Sequence, residues 1–199
     1  MRDLIKPALI LFSVTVVVVA LLAFTDGLTA PIIAERTKAD LDAAKKSVLP
    51  LAESFTELTL PQGLAQESEG LSTVRQAWVA KDASAAVVGT VVSLASKGYA
   101  GPVGFTVGID PTGKVTGIKA GSHKETPGLG DKVLAPGSKV MKQLAALTPT
   151  APLKVVKGTP GLNEVDAVSG STITSRAATR AVTGAWELST RLTAEGEWK

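Results

Sequence analysis

The chain has 199 residues, with 21 Lys and Arg against 18 Asp and Glu, for a formal net charge of +3. That length fits one soluble domain plus an appendage, and so mild a charge, without basic runs interleaved with aromatics, argues against a nucleic-acid partner. Cysteine is absent and histidine occurs once, at His123, which excludes disulfides, thiolate metal sites, iron–sulfur ligation and a His-rich metal site.

Pro7 to Thr25 holds no charged residue and includes the run Val16-Val17-Val18-Val19-Ala20-Leu21-Leu22. At ~1.5 Å per residue it is long enough to cross a hydrocarbon core of about 30 Å. A signal peptide is the alternative, but its apolar region runs only about 7–15 residues. The best small-residue cleavage pattern, Leu28-Thr29-Ala30, is followed by Pro31, a poor residue after a cut. A retained membrane anchor over residues 1–30 is therefore expected. Arg2 and Lys6 precede the span and Asp26 is the first charge after it. The positive-inside rule then puts the N-terminus in the cytoplasm and the remainder on the extracytoplasmic or periplasmic side of the cell (inner) membrane.

Pro31 to Val48 predicts a helix, started by Pro31 and stopped by Pro50, and the polar, Gly- and Pro-containing Leu58 to Ser72 predicts a loop. Residues 31–72 are thus a juxtamembrane helix and linker, and 73–199 a folded domain. Val74 to Ala80 and the valine-rich Ala86 to Leu94 predict strands. Val103 to Ile109 and Lys114 to Ala120 predict a hairpin around Asp110-Pro111-Thr112-Gly113. Ser138 to Leu147 predicts a helix, Leu153 to Val156 a strand, and Ile173 to Leu192 a closing helix. With aromatics at 4%, Ala, Val and Leu must supply the core. The expected class is α+β: a single N-terminal transmembrane helix, then one domain with a mostly antiparallel sheet and flanking helices.

Asp166-Ala167-Val168-Ser169-Gly170-Ser171-Thr172-Ile173-Thr174-Ser175-Arg176 gathers five hydroxyls around one glycine where the closing helix begins. Such residues are ordinary helix caps. The same position also offers free N–H groups and a partial positive charge, which suit a phosphate. Gly170 would let the backbone come close to it. A threonine there could bind a phosphate or be esterified by one, although no base is evident to activate its hydroxyl. Glu125-Thr126-Pro127-Gly128-Leu129-Gly130 reads by itself as a polar turn. Gly98-Tyr99-Ala100-Gly101-Pro102 is a third glycine-rich segment, holding the single tyrosine, which is as well explained by a turn. Gly108 to Lys114 has the spacing of a P-loop, but Val115 replaces the required Ser or Thr and the segment lies in a hairpin. No Gly-x-Ser-x-Gly elbow supports a serine hydrolase.

The hydroxyl cluster resembles the flavin-attachment motif of the FMN-binding domain family: an Asp, two variable residues, Ser or Thr, Gly, Ala, Thr, then a hydroxyl residue two further on. Asp166, Ser169, Gly170, Thr172 and Thr174 fit that frame, and Ser171 departs from it where alanine is usual. The Glu-Thr-Pro-Gly-Leu-Gly run is similar to a second signature of the same family. The resemblance implies FMN carried covalently, through a phosphoester bond to the Thr172 hydroxyl made by a separate flavin transferase. Ser169, Gly170, Ser171, Ile173 and Thr174 would surround the attachment point. Glu125, Thr126, Pro127, Gly128 and Leu129 would line the flavin site, with Tyr99 near it. It further implies an electron-carrier subunit of a membrane-bound ion-translocating oxidoreductase complex of the ferredoxin:NAD type. Such a subunit is not catalytic alone and depends on other membrane subunits, the transferase and membrane lipid. A membrane-anchored binding or scaffold module without a redox cofactor is the alternative, and flavin absorbance separates the two.

Overall fold

The computed structural model describes residues 2–196. Residue 1, the expected start of the anchor, and residues 197–199, the expected end of the domain, lie outside the described residues. So do the side chains of Arg2 and Asp3, on which part of the expected orientation rests. The chain divides into two compact units, Met1–Asp42 and Ala43–Lys199.

Helix α1 spans Arg2–Val48 without interruption. This corrects the expectation of a second helix opening at Pro31. A proline inside a helix forfeits one hydrogen bond and crowds the carbonyl four residues back, here that of Gly27, at about 3 kcal/mol. The apolar run before it and the Ala-, Leu- and Lys-rich run after it carry the helix through. Within the apolar stretch, the Ser13, Thr15 and Thr25 hydroxyls each donate to the carbonyl one turn back at 2.8 Å. The hydroxyls among these apolar residues are therefore satisfied within the helix, as a membrane environment requires.

The second unit is built on a five-stranded antiparallel sheet in the order β1-β2-β3-β4-β5. The strands are β1 Ser54–Leu58, β2 Val74–Lys81, β3 Val87–Lys97, β4 Pro102–Ile109 and β5 Val115–Ala120. Strand β1 and the short helix α2, Leu64–Glu67, fall in residues expected to be linker. Ser-Phe-Thr-Glu-Leu is too short and polar to read as a strand. It becomes one by pairing with β2, with Phe55 opposite Ala80. Helices α3 Gly130–Leu134 and α4 Lys139–Ala145 follow the sheet. A parallel pair then forms between β6 Lys154–Val156 and β7 Glu164–Asp166. The closing helix α5 spans Thr172–Glu195.

One face of the sheet is packed by α5. Val103, Phe105, Val107 and Ile109 alternate along β4 and bury with Val92 and Leu94 against Ala177, Ala178, Ala181, Val182, Ala185 and Leu188. Alanines at the contact stripe bring the α5 backbone close to the strands, which explains how so few aromatics still make a core. The opposite face receives the end of α1. Gly108 and Gly117 are direct partners across β4 and β5. A Cβ at Gly117 would lie 2.9 Å from the Val48 Cα, and one at Gly108 only 2.7 Å from the Val48 carbonyl oxygen. The glycines leave room for the chain to rest on the sheet, where the Thr116 hydroxyl donates to the Val48 carbonyl at 2.6 Å. Beside them the Lys45 ammonium lies 4.6 Å from the Trp78 ring centre.

Two of the sheet's hairpins, β2–β3 and β4–β5, use the same turn. Asp82 Oδ1 accepts from the amides of Ser84 and Ala86 at 2.8 and 3.0 Å, and Asp110 Oδ1 from those of Thr112 and Lys114 at 2.8 and 3.0 Å. The left-handed position is Gly113 in one turn, at φ 84°, and Ala85 in the other, at φ 62°.

Candidate functional site

The start of α5 follows from local chemistry. Gly170 adopts φ 81°, a conformation open to glycine at little cost, and turns the chain into the helix. Ser171 occupies the capping position, yet its side chain makes no capping hydrogen bond. The amides of Thr172, Ile173 and Thr174 find no acceptor among the described residues. Thr172, half-buried, is the first helical residue, and its hydroxyl likewise makes no hydrogen bond among the described residues.

A cleft of about 530 Å³ opens at this helix start, lined by Tyr99, Glu125, Thr126, Leu129, Gly130 and residues 170–174. Three segments far apart in sequence meet there. What holds them is Glu125, which is 5% exposed. One carboxylate oxygen accepts the Thr174 hydroxyl, and the other accepts the Ala100 amide at 2.9 Å. Burial by itself would raise the Glu125 pKa. The Thr174 hydroxyl, the amides of Ala100 and Tyr99 and the charge of His123 outweigh it and hold the carboxyl below its ordinary value. A Cβ at Gly98 would lie 2.6 Å from one Glu125 oxygen, and one at Gly130 would lie 2.5 Å from the other. Gly98 and Gly130 thus make the slot for this carboxylate. Gly98 opens the tyrosine segment and Gly130 closes the second signature, but a sequence shows neither as the wall of a carboxylate pocket.

The rim is apolar and open to solvent. Among the described residues of the second unit, the exposed large hydrophobics are Leu51, Tyr99, Leu129, Leu162 and Ile173. Three of these five flank the cleft, a concentration expected where a planar apolar group is held. Pro127, Gly128 and Ser169 do not line it and are exposed on the loops that lead to it. Asp166 points elsewhere: its carboxylate pairs with Lys139 and accepts the Gly158 amide at 2.9 Å. Its backbone amide donates to the Gln143 side chain at 2.9 Å. The Lys139 hydrogen bond, helped by the Gly158 amide, lowers the Asp166 pKa. Asp166 therefore anchors the approach to α5 and does not face the cleft.

A neighbouring groove of about 570 Å³ runs along α5 past Arg176 and Arg180 to Glu187. Its charges are partly paired. Arg180 pairs with Glu69 at 2.7 Å, and the Ser68 hydroxyl donates to Glu187.

The residues of the cleft fit FMN on their own geometry. Unpaired amides and a buried, unpartnered Ser171 hydroxyl suit a phosphoryl group. Exposed Tyr99, Leu129 and Ile173 suit a flat ring.

Comparison with known proteins agrees. The model of the FMN-binding domain family matches residues 98–187. The chain is 35% identical over 183 residues to the G subunit of the Na(+)-translocating ferredoxin:NAD(+) oxidoreductase complex of Acetobacterium woodii, covering 89% of this chain and 87% of that one. It is 37% identical over 119 residues to the G subunit of the proton-translocating ferredoxin:NAD(+) oxidoreductase complex of Clostridium ljungdahlii, covering 58% and 61%. Among solved structures it resembles NqrC of Shewanella oneidensis at a TM-score of 0.51 and 22% identity, over 76% of this chain and 73% of that one, a likeness of fold.

Proposed function

Because the chain belongs to the family of G subunits of ion-translocating oxidoreductase complexes, we propose that it is the membrane-anchored electron-carrier subunit of a Rnf-type, ferredoxin:NAD complex, holding FMN covalently on Thr172. One observation carries this reading. Two separately encoded segments, 125–130 and 170–174, converge on a single cleft and are locked by the Glu125–Thr174 hydrogen bond. Bound there, FMN supplies one- and two-electron redox chemistry that no side chain of this protein has.

The chain's own residues bind, orient and tether. The Thr172 hydroxyl oxygen would hold FMN as a phosphodiester, its proton and the leaving group of the phosphoryl donor both departing, so that the chain gains the mass of FMN less a water. The unpaired amides of Thr172, Ile173 and Thr174 would meet the phosphodiester charge, where the helix dipole also favours an anion. Leu129, Ile173 and Tyr99 offer apolar cover to the ring. Among the described residues no base hydrogen-bonds the Thr172 hydroxyl, and the Glu125 carboxylate bonds Thr174 and Ala100 instead. That supports attachment by a separate flavin transferase. A tether also makes sense if the domain lies outside the cytoplasm, where a lost cofactor is not readily replaced.

The apolar part of α1 would sit in lipid, with the N-terminus cytoplasmic and residues 43–199 on the extracytoplasmic side. The partners are the other membrane subunits, which must supply the iron–sulfur and nucleotide chemistry this cysteine-free chain lacks. The two relatives differ in the ion their complexes are named for, Na(+) or proton. The features this chain shares with both therefore do not select the ion. The test is in-gel flavin fluorescence of the denatured protein, coexpressed with the transferase. Wild type should fluoresce and Thr172→Ala should not; fluorescence retained in Thr172→Ala would overturn the assignment.

A further inference from the structure

Ser171 is 5% exposed and its buried Oγ has no hydrogen-bond partner among the described residues. Serine is among the best helix-capping residues because its oxygen accepts an amide of the first turn. Here it does not, and its backbone, at φ −130° and ψ 33°, departs from the extended geometry usual for a cap. The contrast with its neighbours sharpens the point. Ser171, Ser175, Thr179 and Thr183 form one stripe along α5. Ser175 donates to the Ser171 carbonyl at 2.9 Å, Thr179 to that of Ser175 at 2.9 Å, and Thr183 to that of Thr179 at 3.1 Å. Ser171 heads the stripe and has no helical turn before it to accept its proton. The other buried polar side-chain atoms without partners, Thr90 Oγ1 and Asp131 Oδ1, do not line the cleft; Ser171 does.

A buried hydroxyl left unpaired is destabilising, so its retention beside three free amides points to an acceptor that arrives from outside the chain. We propose that Ser171 is a phosphate-positioning residue: its hydroxyl donates a hydrogen bond to a nonbridging oxygen of the phosphodiester on Thr172. The inference rests on the proposed attachment of FMN at Thr172. The phosphodiester carries the single negative charge that a hydroxyl and helix-start amides can share without a counter-cation. Ser171 in this role holds the phosphorus in place and so sets where the flavin ring enters the cleft between Leu129 and Ile173.

The experiment compares full-length wild type and Ser171→Ala, each produced with and without the flavin transferase and purified in detergent. Mass spectrometry first locates the FMN. In the loaded proteins, phosphorus NMR of the folded state should show a displaced resonance in Ser171→Ala, and the two resonances should coincide once both proteins are unfolded. Thermal unfolding should move in opposite directions. Ser171→Ala should raise the midpoint of the flavin-free protein, where it removes an unpaired group, and lower that of the loaded protein, by about 2–4 °C each. A purely structural role for Ser171 would shift both midpoints the same way. Identical folded-state resonances, or midpoint shifts of one sign, would overturn the proposal while leaving FMN on Thr172 intact. FMN located on Ser171 would also overturn it. Absence of FMN from wild type made with the transferase would instead overturn the attachment on which it rests.

Discussion

Replacing Glu125 should separate the roles of shape and charge in assembling the cleft. Glu125→Ala strands the Thr174 hydroxyl, in a residue 2% exposed, and the Ala100 amide, each of which now donates to the carboxylate. Thr174 is buried, so its stranded hydroxyl costs about 1–3 kcal/mol. Ala100 is exposed, so water can replace the carboxylate at its amide and little is added, and a further loss of about 1–2 kcal/mol comes from the space vacated between Gly98 and Gly130. The sum is about 2–4 kcal/mol, or roughly 8 °C in the midpoint for a chain of this size. Glu125→Gln fills the same slot. Its oxygen can accept from Ala100 and its amide nitrogen can donate to Thr174, so the loss should be about 1–2 kcal/mol, that of exchanging charged for neutral hydrogen bonds. Thermal unfolding in detergent, read by tryptophan fluorescence, measures both. The linkage sign follows from the lowered pKa of Glu125. Its contribution is fully present above the ordinary value of 4.5 and is lost as pH falls from there through the folded value. The difference between wild type and Glu125→Gln should therefore shrink in acid. A Glu125→Ala midpoint within about 2 °C of wild type, or equal losses in the Ala and Gln variants, would refute the idea that this carboxylate pins the three segments.

Two further predictions concern the scaffold. Gly117→Ala puts a methyl group against the Val48 backbone and should cost about 1–3 kcal/mol by overpacking. Because Lys45 lies over Trp78 on the same face, the variant should also change tryptophan emission; unchanged emission and stability would contradict the close seating of Val48 on the sheet. Ala85→Gly relieves a left-handed alanine in the β2–β3 turn and should raise stability by about 1 kcal/mol, whereas a loss would show that the turn does not hold that conformation.

The central elements were legible because each has a period or a punctuation mark of its own. Valine richness marked β3, Asp110-Pro111-Thr112-Gly113 marked the β4–β5 hairpin, and the uncharged run of α1 marked itself by length. The elements that were missed are defined by partners. Strand β1 exists because β2 offers it an edge, and β7 because it lies beside β6. Pro31 looked like a helix start because a proline suits a first turn, but only the residues flanking it decide whether a helix continues through. The two motifs announced a site, yet nothing in their spacing showed that Glu125 would bond Thr174. Nor did it show that Asp166 would turn away to Lys139. Such pairings are set by tertiary approach, which for Glu125 depends on Gly98 and Gly130 having no side chain.

The measurement that bears most directly on the electron-carrier account is mass spectrometry of protein purified from its native membrane. Trypsin should release Gly158–Arg176 as one peptide, bounded by Lys157 and Arg176 and holding every candidate hydroxyl of the motif. The account predicts that this peptide carries the mass of FMN less a water, and that fragmentation places it on Thr172. An unmodified peptide from cells with a working flavin transferase would contradict the account and favour an anchored binding module.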